Sequence, residues 1–128
     1  MGDDFGKLVL RLALGILVLL HGVAKLQGGI GFLHPMLGAL GLPTWVAYGV
    51  YVGEIVAPIM VILGLFTRVG AFIIFVNMIF AIVLVHRPEL LSMTRQGGWA
   101  LELQGMFMFS ALALSFMAPG RYALTRRY

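Results

Sequence analysis

The chain has 128 residues, of which 61% are apolar and 11% are charged, with a formal net charge of +4 and a mean hydropathy of +1.01. Soluble domains are typically about half apolar and about a quarter charged, so these values exclude a small water-soluble domain and a disordered chain. The absence of cysteine excludes disulfides, thiol nucleophiles and Cys-ligated metal centres. Basic residues stand singly at the ends of apolar runs, which is typical of membrane proteins and argues against nucleic-acid binding.

Four apolar stretches approach the length of about 20 residues that a helix needs to cross a bilayer. They cover residues 5–26, 45–66, 69–86 and 99–118. Because they are continuously apolar rather than alternating, they favour helices over barrel strands. Their short connections predict one transmembrane domain over residues 1–128. The expected fold is all-α, a polytopic membrane protein built as an antiparallel four-transmembrane-helix bundle.

The connections and the flanking charges predict the topology. The longest connection is residues 27–44, and its glycines and prolines are typical of turns. The side that holds both termini carries six basic residues: Lys7, Arg11, Arg68, Arg121, Arg126 and Arg127. The opposite side carries three: Lys25, Arg87 and Arg95. We therefore expect both termini in the cytoplasm.

Ionisable groups at membrane depth are costly, so each requires a partner or a function. On the first helix, small and polar residues fall within about 120° of arc and are predicted to face the bundle. They are Arg11, Gly15, His21, Gly22 and Lys25. Alternatively, Arg11 and Lys25 extend to opposite membrane interfaces.

Glu54 is the strongest single signal, because it lies roughly 13 Å into the second span. A carboxyl group at that depth is either neutral or paired with a cation. Beside it, Gly49, Gly53 and Ala57 form a ridge of small residues that allows close helix packing. Pro58 predicts a kink just below Glu54.

Depth and topology together predict a polar cluster in the outer half of the bundle, formed by His21, Lys25, Glu54 and Glu102. Two interpretations remain open. The cluster is either a buried ion-pair network that fixes helix register or a pocket that handles protons or binds a ligand headgroup.

The pocket interpretation gives each polar residue a role. His21, Glu54 and Glu102 would handle protons, and Lys25, Arg11 and Asn77 would bind the ligand. Asn77 is also predicted to make an interhelical hydrogen bond. His86, at the end of the third span, is predicted to be interfacial.

The same segments resemble the DoxX family. The resemblance lies in RLALG at 11–15, HGVAK at 21–25, GE at 53–54, LGLFTR at 63–68, GGWALE at 97–102 and PGRY at 119–122. In one departure, the acid expected close behind the paired glycines lies four residues on, at Glu102. The resemblance implies a bacterial inner-membrane protein with four helices. It also implies association with membrane oxidoreductase systems, such as a thiosulfate:quinone oxidoreductase subunit and an oxidative-stress complex.

Three functions are consistent with these features. The first is a subunit that supports quinone-linked redox chemistry. Because the chain has no cysteine, it would receive electrons from a redox protein partner. The second is a non-catalytic lipid-binding, scaffold or assembly protein. The third is a small proton-coupled transporter, which four short helices allow only as a homo-oligomer.

Expected ligands and partners follow from the same residues. Quinone and membrane lipid are the expected ligands. No covalently bound cofactor is expected. A haem between His21 and His86 is not expected, because their angular positions do not match. A metal held by His21, Glu54 and Glu102 is not expected either.

Overall fold

A computed structural model describes residues 2–28, 33–39, 41–43, 45, 48–84, 102–117 and 119–124. These residues form helices and turns, and no strand occurs among them. The helices are α1 (Gly2–Gly28), α2 (Leu33–Ala39), α3 (Gly49–Tyr51), a π-helical segment (Val52–Val56), α4 (Ala57–Leu63), α5 (Thr67–Leu84) and α6 (Glu102–Phe116). The prediction of an all-α fold is confirmed for the described chain.

The segments α3, Val52–Val56 and α4 form one continuous helix, called helix 49–63 below, because the junction residues keep right-handed helical backbone angles. α1 packs against it in the opposite direction. Gly15 of α1 lies beside Ile62, whereas Gly22, two turns later, lies beside Glu54. The first two long helices are therefore antiparallel, as predicted.

α5 and α6 complete the arrangement. Gly53 lies beside Asn77, far along α5, so α5 runs antiparallel to helix 49–63. Arg68 near the start of α5 binds Ser115 near the end of α6, so this pair is also antiparallel. α6 packs against both α5 and α1.

The interior and the exterior of the helices are both apolar. The core consists of apolar side chains from α1, helix 49–63, α5 and α6: Leu14, Val18, Ala57, Val61, Ala71, Ile74, Met78, Phe107, Ala111 and Leu114. On the outside, large apolar side chains such as Phe72, Phe109 and Phe116 are exposed. An exposed apolar surface of this extent fits a lipid environment better than water.

By length and composition, α1 is the helix of the described chain that can cross a membrane. Its apolar part, Gly2–Ala24, has 23 residues and a mean hydropathy of 1.9, and it spans about 35 Å at about 1.5 Å per residue. The apolar parts of the other long helices, Val52–Leu63, Thr67–Ile82 and Gln104–Phe116, are shorter.

The predicted connection 27–44 contains a short helix, α2, that its turn residues did not indicate. Pro35 is tolerated in the first turn of α2, where a backbone N–H has no intrahelical acceptor. Leu37 is completely buried, and α2 contacts α5. Burial of this apolar side chain therefore outweighs the turn preference of the flanking glycines.

The second predicted span was set to end at residue 66, but α4 ends three residues earlier. Gly64 adopts a left-handed conformation with φ of 72°. Its N–H donates to the carbonyl of Val61 (3.2 Å), and the N–H of Leu65 donates to that of Met60 (2.8 Å). This pair of bonds is a Schellman motif, which stops the helix and turns the chain into α5.

Candidate functional site

Glu54 lies within the π-helical segment Val52–Val56, and only 3% of its surface is exposed. The N–H of Ala57 donates to the carbonyl of Val52, five residues earlier, as a π-helical turn requires. Pro58 explains the wider turn. It has no N–H to offer the carbonyl of Glu54 four residues before it, and its ring crowds that oxygen. The predicted distortion beside Glu54 is a π turn, and the predicted burial of Glu54 is confirmed.

α1 approaches the carbonyl of Glu54 most closely at Gly22. A Cβ atom on Gly22 would overlap the carbonyl oxygen of Glu54 and would lie 2.8 Å from Cγ1 of Ile55. Only a glycine allows two helix backbones to come this close. The main chain of Glu54 therefore contacts the first helix at Gly22.

On the other side of helix 49–63, Gly53 packs against Asn77 of α5. A Cβ on Gly53 would come within 2.5 Å of Cβ and Cγ of Asn77. Asn77 is 9% exposed, and its Nδ2 has no hydrogen-bond partner among the described residues. This nitrogen does not make the predicted interhelical hydrogen bond within the described residues, and the amide group packs against Gly53.

His21 does not face the interior as predicted. Its side chain is exposed, and its ring packs edge-to-face on Phe107 of α6, with centroids 5.7 Å apart and planes at 76°. Since His21 precedes Gly22 on α1, it lies at the level of Glu54 but on the flank that meets α6. Its imidazole therefore lies on the flank of the bundle and not in the interior.

Arg11 lies at the opposite end of the bundle. Ten residues separate it from His21, which corresponds to about 15 Å along α1. It is only 1% exposed. Its donors point to main-chain carbonyls far from Glu54, so the structure does not bring Arg11 together with the outer-half polar residues.

Arg11 makes four hydrogen bonds to those carbonyls, a set called the Arg11 clasp below. Nε donates to Val61 (3.0 Å), and Nη2 donates to Ile62 (3.2 Å). Nη1 donates to Pro119 (3.2 Å) and Tyr122 (3.1 Å). The clasp therefore joins α1, the end of helix 49–63 and the segment 119–124.

The clasp completes the hydrogen bonding of a helix end. The last four carbonyls of a helix have no intrahelical partner. The carbonyls of Met60 and Val61 accept hydrogen bonds from the backbone N–H groups of the Schellman turn. Arg11 donates hydrogen bonds to the carbonyls of Val61 and Ile62. The remaining carbonyl, that of Leu63, accepts from the N–H of Leu124 at 3.3 Å. The positive guanidinium also suits the negative end of the helix dipole.

Three predicted residues lie outside what the structure describes. His86 belongs to an undescribed segment, and the side chains of Lys25 and Glu102 are likewise not described. Within the described residues, no group of three or more histidine, cysteine, aspartate or glutamate side chains is placed to hold a metal ion.

Glu54, Asn77 and His21, called the Glu54 site below, lie at one level of the bundle, because Glu54 follows Gly53 and His21 precedes Gly22. The site combines a buried carboxyl group, a buried amide donor and an accessible imidazole. A carboxyl group, an amide and an imidazole are groups that can form hydrogen bonds with a polar ligand. Sequence reasoning missed Phe107, which has no distinguishing signal, and the carbonyl of Glu54. A proline four residues after Glu54 was the available signal for that carbonyl.

The DoxX family model matches residues 6–87, which is well over half of the chain. The chain belongs to the DoxX family. The matched range includes Arg11, His21, Glu54 and Asn77, and it ends before Glu102. The resemblance predicted from the sequence motifs is thereby confirmed, and DoxX proteins are membrane-associated.

Two relatives are similar in sequence. A Bacillus subtilis (strain 168) protein named "Putative oxidoreductase CatD" is 34% identical over 82 residues, which are 64% of this chain and 60% of that protein. A Haemophilus influenzae (strain Rd) protein named "Uncharacterized protein" is 34% identical over 122 residues, 93% of this chain and 87% of that protein. The match to the Bacillus relative thus covers less than two thirds of its length. No solved structure matches the chain significantly.

Proposed function

We propose that this DoxX protein is a four-span subunit of the bacterial inner membrane that supports quinone-linked redox chemistry at the Glu54 site. The observation that carries the proposal is the nearly complete burial of Glu54 in a π turn. A carboxyl group is costly to retain at such a position, and π turns are frequent at functional sites.

Asn77, Glu54 and His21 carry the polar groups that a quinone headgroup requires. When bound, a quinone supplies a ring that takes up two electrons and two protons. Asn77 has a buried amide nitrogen without a partner in the described chain, and a carbonyl oxygen is the acceptor that this nitrogen lacks. In this proposal Glu54 donates a proton to the quinone at a buried position. His21, on the flank of the bundle, then supplies a proton to Glu54.

Electrons must come from another protein or its cofactor. The chain has no cysteine, and the chemistry of its side chains provides proton transfer and binding but no electron carrier. The name of the Bacillus relative, "Putative oxidoreductase CatD", supports a redox setting. The protein would therefore act together with a redox partner rather than as a complete enzyme.

The membrane topology is the first testable part of the proposal. With six basic residues on the side of the termini and three on the other, both termini should lie in the cytoplasm. Cysteine introduced at position 30 or 92, both outside the described residues, should react with an impermeant maleimide added outside the cell. A cysteine added at the C-terminus should be protected. If the cysteines at 30 and 92 were protected from the maleimide and the C-terminal cysteine were labelled, the topology would be the inverse of the predicted one.

The second test addresses the chemistry. In the protein purified with its redox partner, Glu54→Gln should lower quinone reduction by about 100-fold, since positioned general acids contribute about 10²- to 10⁴-fold. His21→Ala should lower it less and should make the rate depend on added small buffers such as imidazole. Asp3→Asn is the matched control, because Asp3 is an exposed carboxylate at the other end of α1. Equal rates for Glu54→Gln and the parent protein would contradict the proposal.

A non-catalytic scaffold or lipid-binding function is the alternative, and the tight crossings at Gly22 and Gly53 favour it. Crossings this close hold helices in a fixed register, to which a buried polar group also contributes. On this alternative, Glu54→Gln lowers stability while no quinone binds to the intact complex. Quinone binding that depends on Glu54 would exclude it.

A further inference from the structure

A groove runs between the start of α5 and the end of α6, on the outside of the bundle and away from the Glu54 site. Its volume is about 520 Å³, within the range of about 300–1,000 Å³ typical of small-molecule sites. Four lining residues are apolar, Val69, Phe72, Leu112 and Phe116, and the other two are Ser115 and the cation Arg68. Phe72 and Phe116 are exposed, so the groove opens to the surroundings of the bundle.

Arg68 is held in place at this groove by a specific contact. Its Nε donates to the carbonyl of Ser115 at 3.0 Å. The hydroxyl of Ser115 donates to the carbonyl of Leu112 at 2.6 Å, which keeps that side chain on its own helix. The Nε bond orients the guanidinium, whose two terminal nitrogens form the edge that binds a phosphate in bidentate fashion.

We propose that this groove binds one anionic phospholipid, with an acyl chain along Phe72, Leu112 and Phe116 and the phosphate on Arg68. This rests on the membrane placement that is part of the proposed function, but not on its redox chemistry. Charge complementarity identifies the occupant, since an apolar groove that ends in one fixed cation matches a molecule with a long apolar chain and an anionic head.

The position along the bundle agrees with a headgroup. Arg68 lies at the end that also holds Lys7 and Arg121, and Arg121 is exposed there. This is the end predicted to face the cytoplasm, where anionic headgroups attract basic residues near the membrane surface. A free phosphate would be held by Arg68 alone and would leave the apolar lining without a ligand.

The test is a lipid titration of the purified, delipidated full chain followed by native mass spectrometry. The probes are phosphatidylglycerol and phosphatidylcholine with identical acyl chains. The parent protein should bind the first phosphatidylglycerol more tightly than the first phosphatidylcholine. Arg68→Gln should reduce this preference about fivefold, the effect of about one cation near an anionic headgroup. Arg121→Gln, which removes an exposed cation at the same end, should leave the preference unchanged.

A second variant tests the binding of the acyl chain separately from the binding of the phosphate. Leu112→Trp fills the groove while keeping Arg68, and it should weaken the binding of both lipids. Equal losses in Arg68→Gln and Arg121→Gln would overturn the proposal in favour of general attraction between charges. Displacement of phosphatidylglycerol by millimolar inorganic phosphate would also overturn it, because the site would then be one for free phosphate.

The outcome is independent of the redox proposal, because the titration contains no quinone. Loss of quinone reduction together with an intact lipid preference would reject the function of the Glu54 site alone. A normal rate of quinone reduction in Arg68→Gln, with no lipid preference in the parent protein, would reject the groove alone.

Discussion

Replacing Gly22 by alanine should destabilise the protein by about 1–3 kcal/mol, the usual cost of adding a methyl group to a closely packed interior. The new Cβ would overlap the carbonyl of Glu54 and press on Ile55. That carbonyl belongs to the backbone of the π turn and cannot rotate away, so α1 must separate from helix 49–63. Chemical unfolding in detergent measures the free-energy difference directly.

Gly6→Ala provides the matched control, because it makes the same change in the same helix. A Cβ on Gly6 meets nothing within 4 Å. The alanine should therefore stabilise the protein by about 0.4–1 kcal/mol through the lower entropy of the unfolded chain. If Gly22→Ala and Gly6→Ala change the free energy of unfolding in the same direction, α1 does not approach the π turn closely at Gly22.

The helices could be predicted from the sequence because their signals are long and local. The apolar runs gave four long helices, and the described parts of these lie within or near the predicted boundaries. α2 was not predicted, because it is stabilised by the burial of one side chain, Leu37, against residues distant in sequence. The end of α4 was placed too late because apolar residues continue past Gly64, where backbone conformation rather than hydropathy stops the helix.

The site was predicted in part. The position of Glu54 in the middle of a predicted span correctly predicted its burial, because a carboxyl group is costly to expose to lipid. The orientation of His21 was wrong because a helical wheel groups residues by angle and does not say which neighbour each one meets. Gly22 meets helix 49–63, whereas His21, one residue earlier, meets Phe107 of α6.

Arg11 shows why a buried cation cannot be assigned a function from the sequence alone. Its burial requires hydrogen-bond acceptors. From the sequence, the acceptors that suggest themselves are acidic side chains or a bound ligand. The structure supplies carbonyls instead, from a helix end and from residues 119–122. Main-chain carbonyls occur at every residue, so only the fold reveals which of them are left without a partner.

Arg11→Gln should destabilise the protein by roughly 3 kcal/mol or more, because a shorter neutral amide cannot reach four carbonyls and leaves buried acceptors without donors. Arg11→Lys should recover only part of the loss, since an ammonium keeps the charge but lacks the planar fork. Release of the segment 119–124 should accompany the loss. Limited trypsin digestion should then cut after Arg121 faster in Arg11→Gln than in the parent protein.

Arg121→Gln is the matched control for stability, because it removes the same charge from the segment that the Arg11 clasp holds. Arg121 is exposed and contacts the ring of Tyr122 at 5.8 Å. Its loss should cost no more than about 1 kcal/mol, the value of an exposed cation–π contact. If Arg11→Gln costs no more than this control, charge alone would account for its effect. The carbonyls of Val61 and Ile62 would then be satisfied by other donors, and segment 119–124 would be held to the bundle without Arg11.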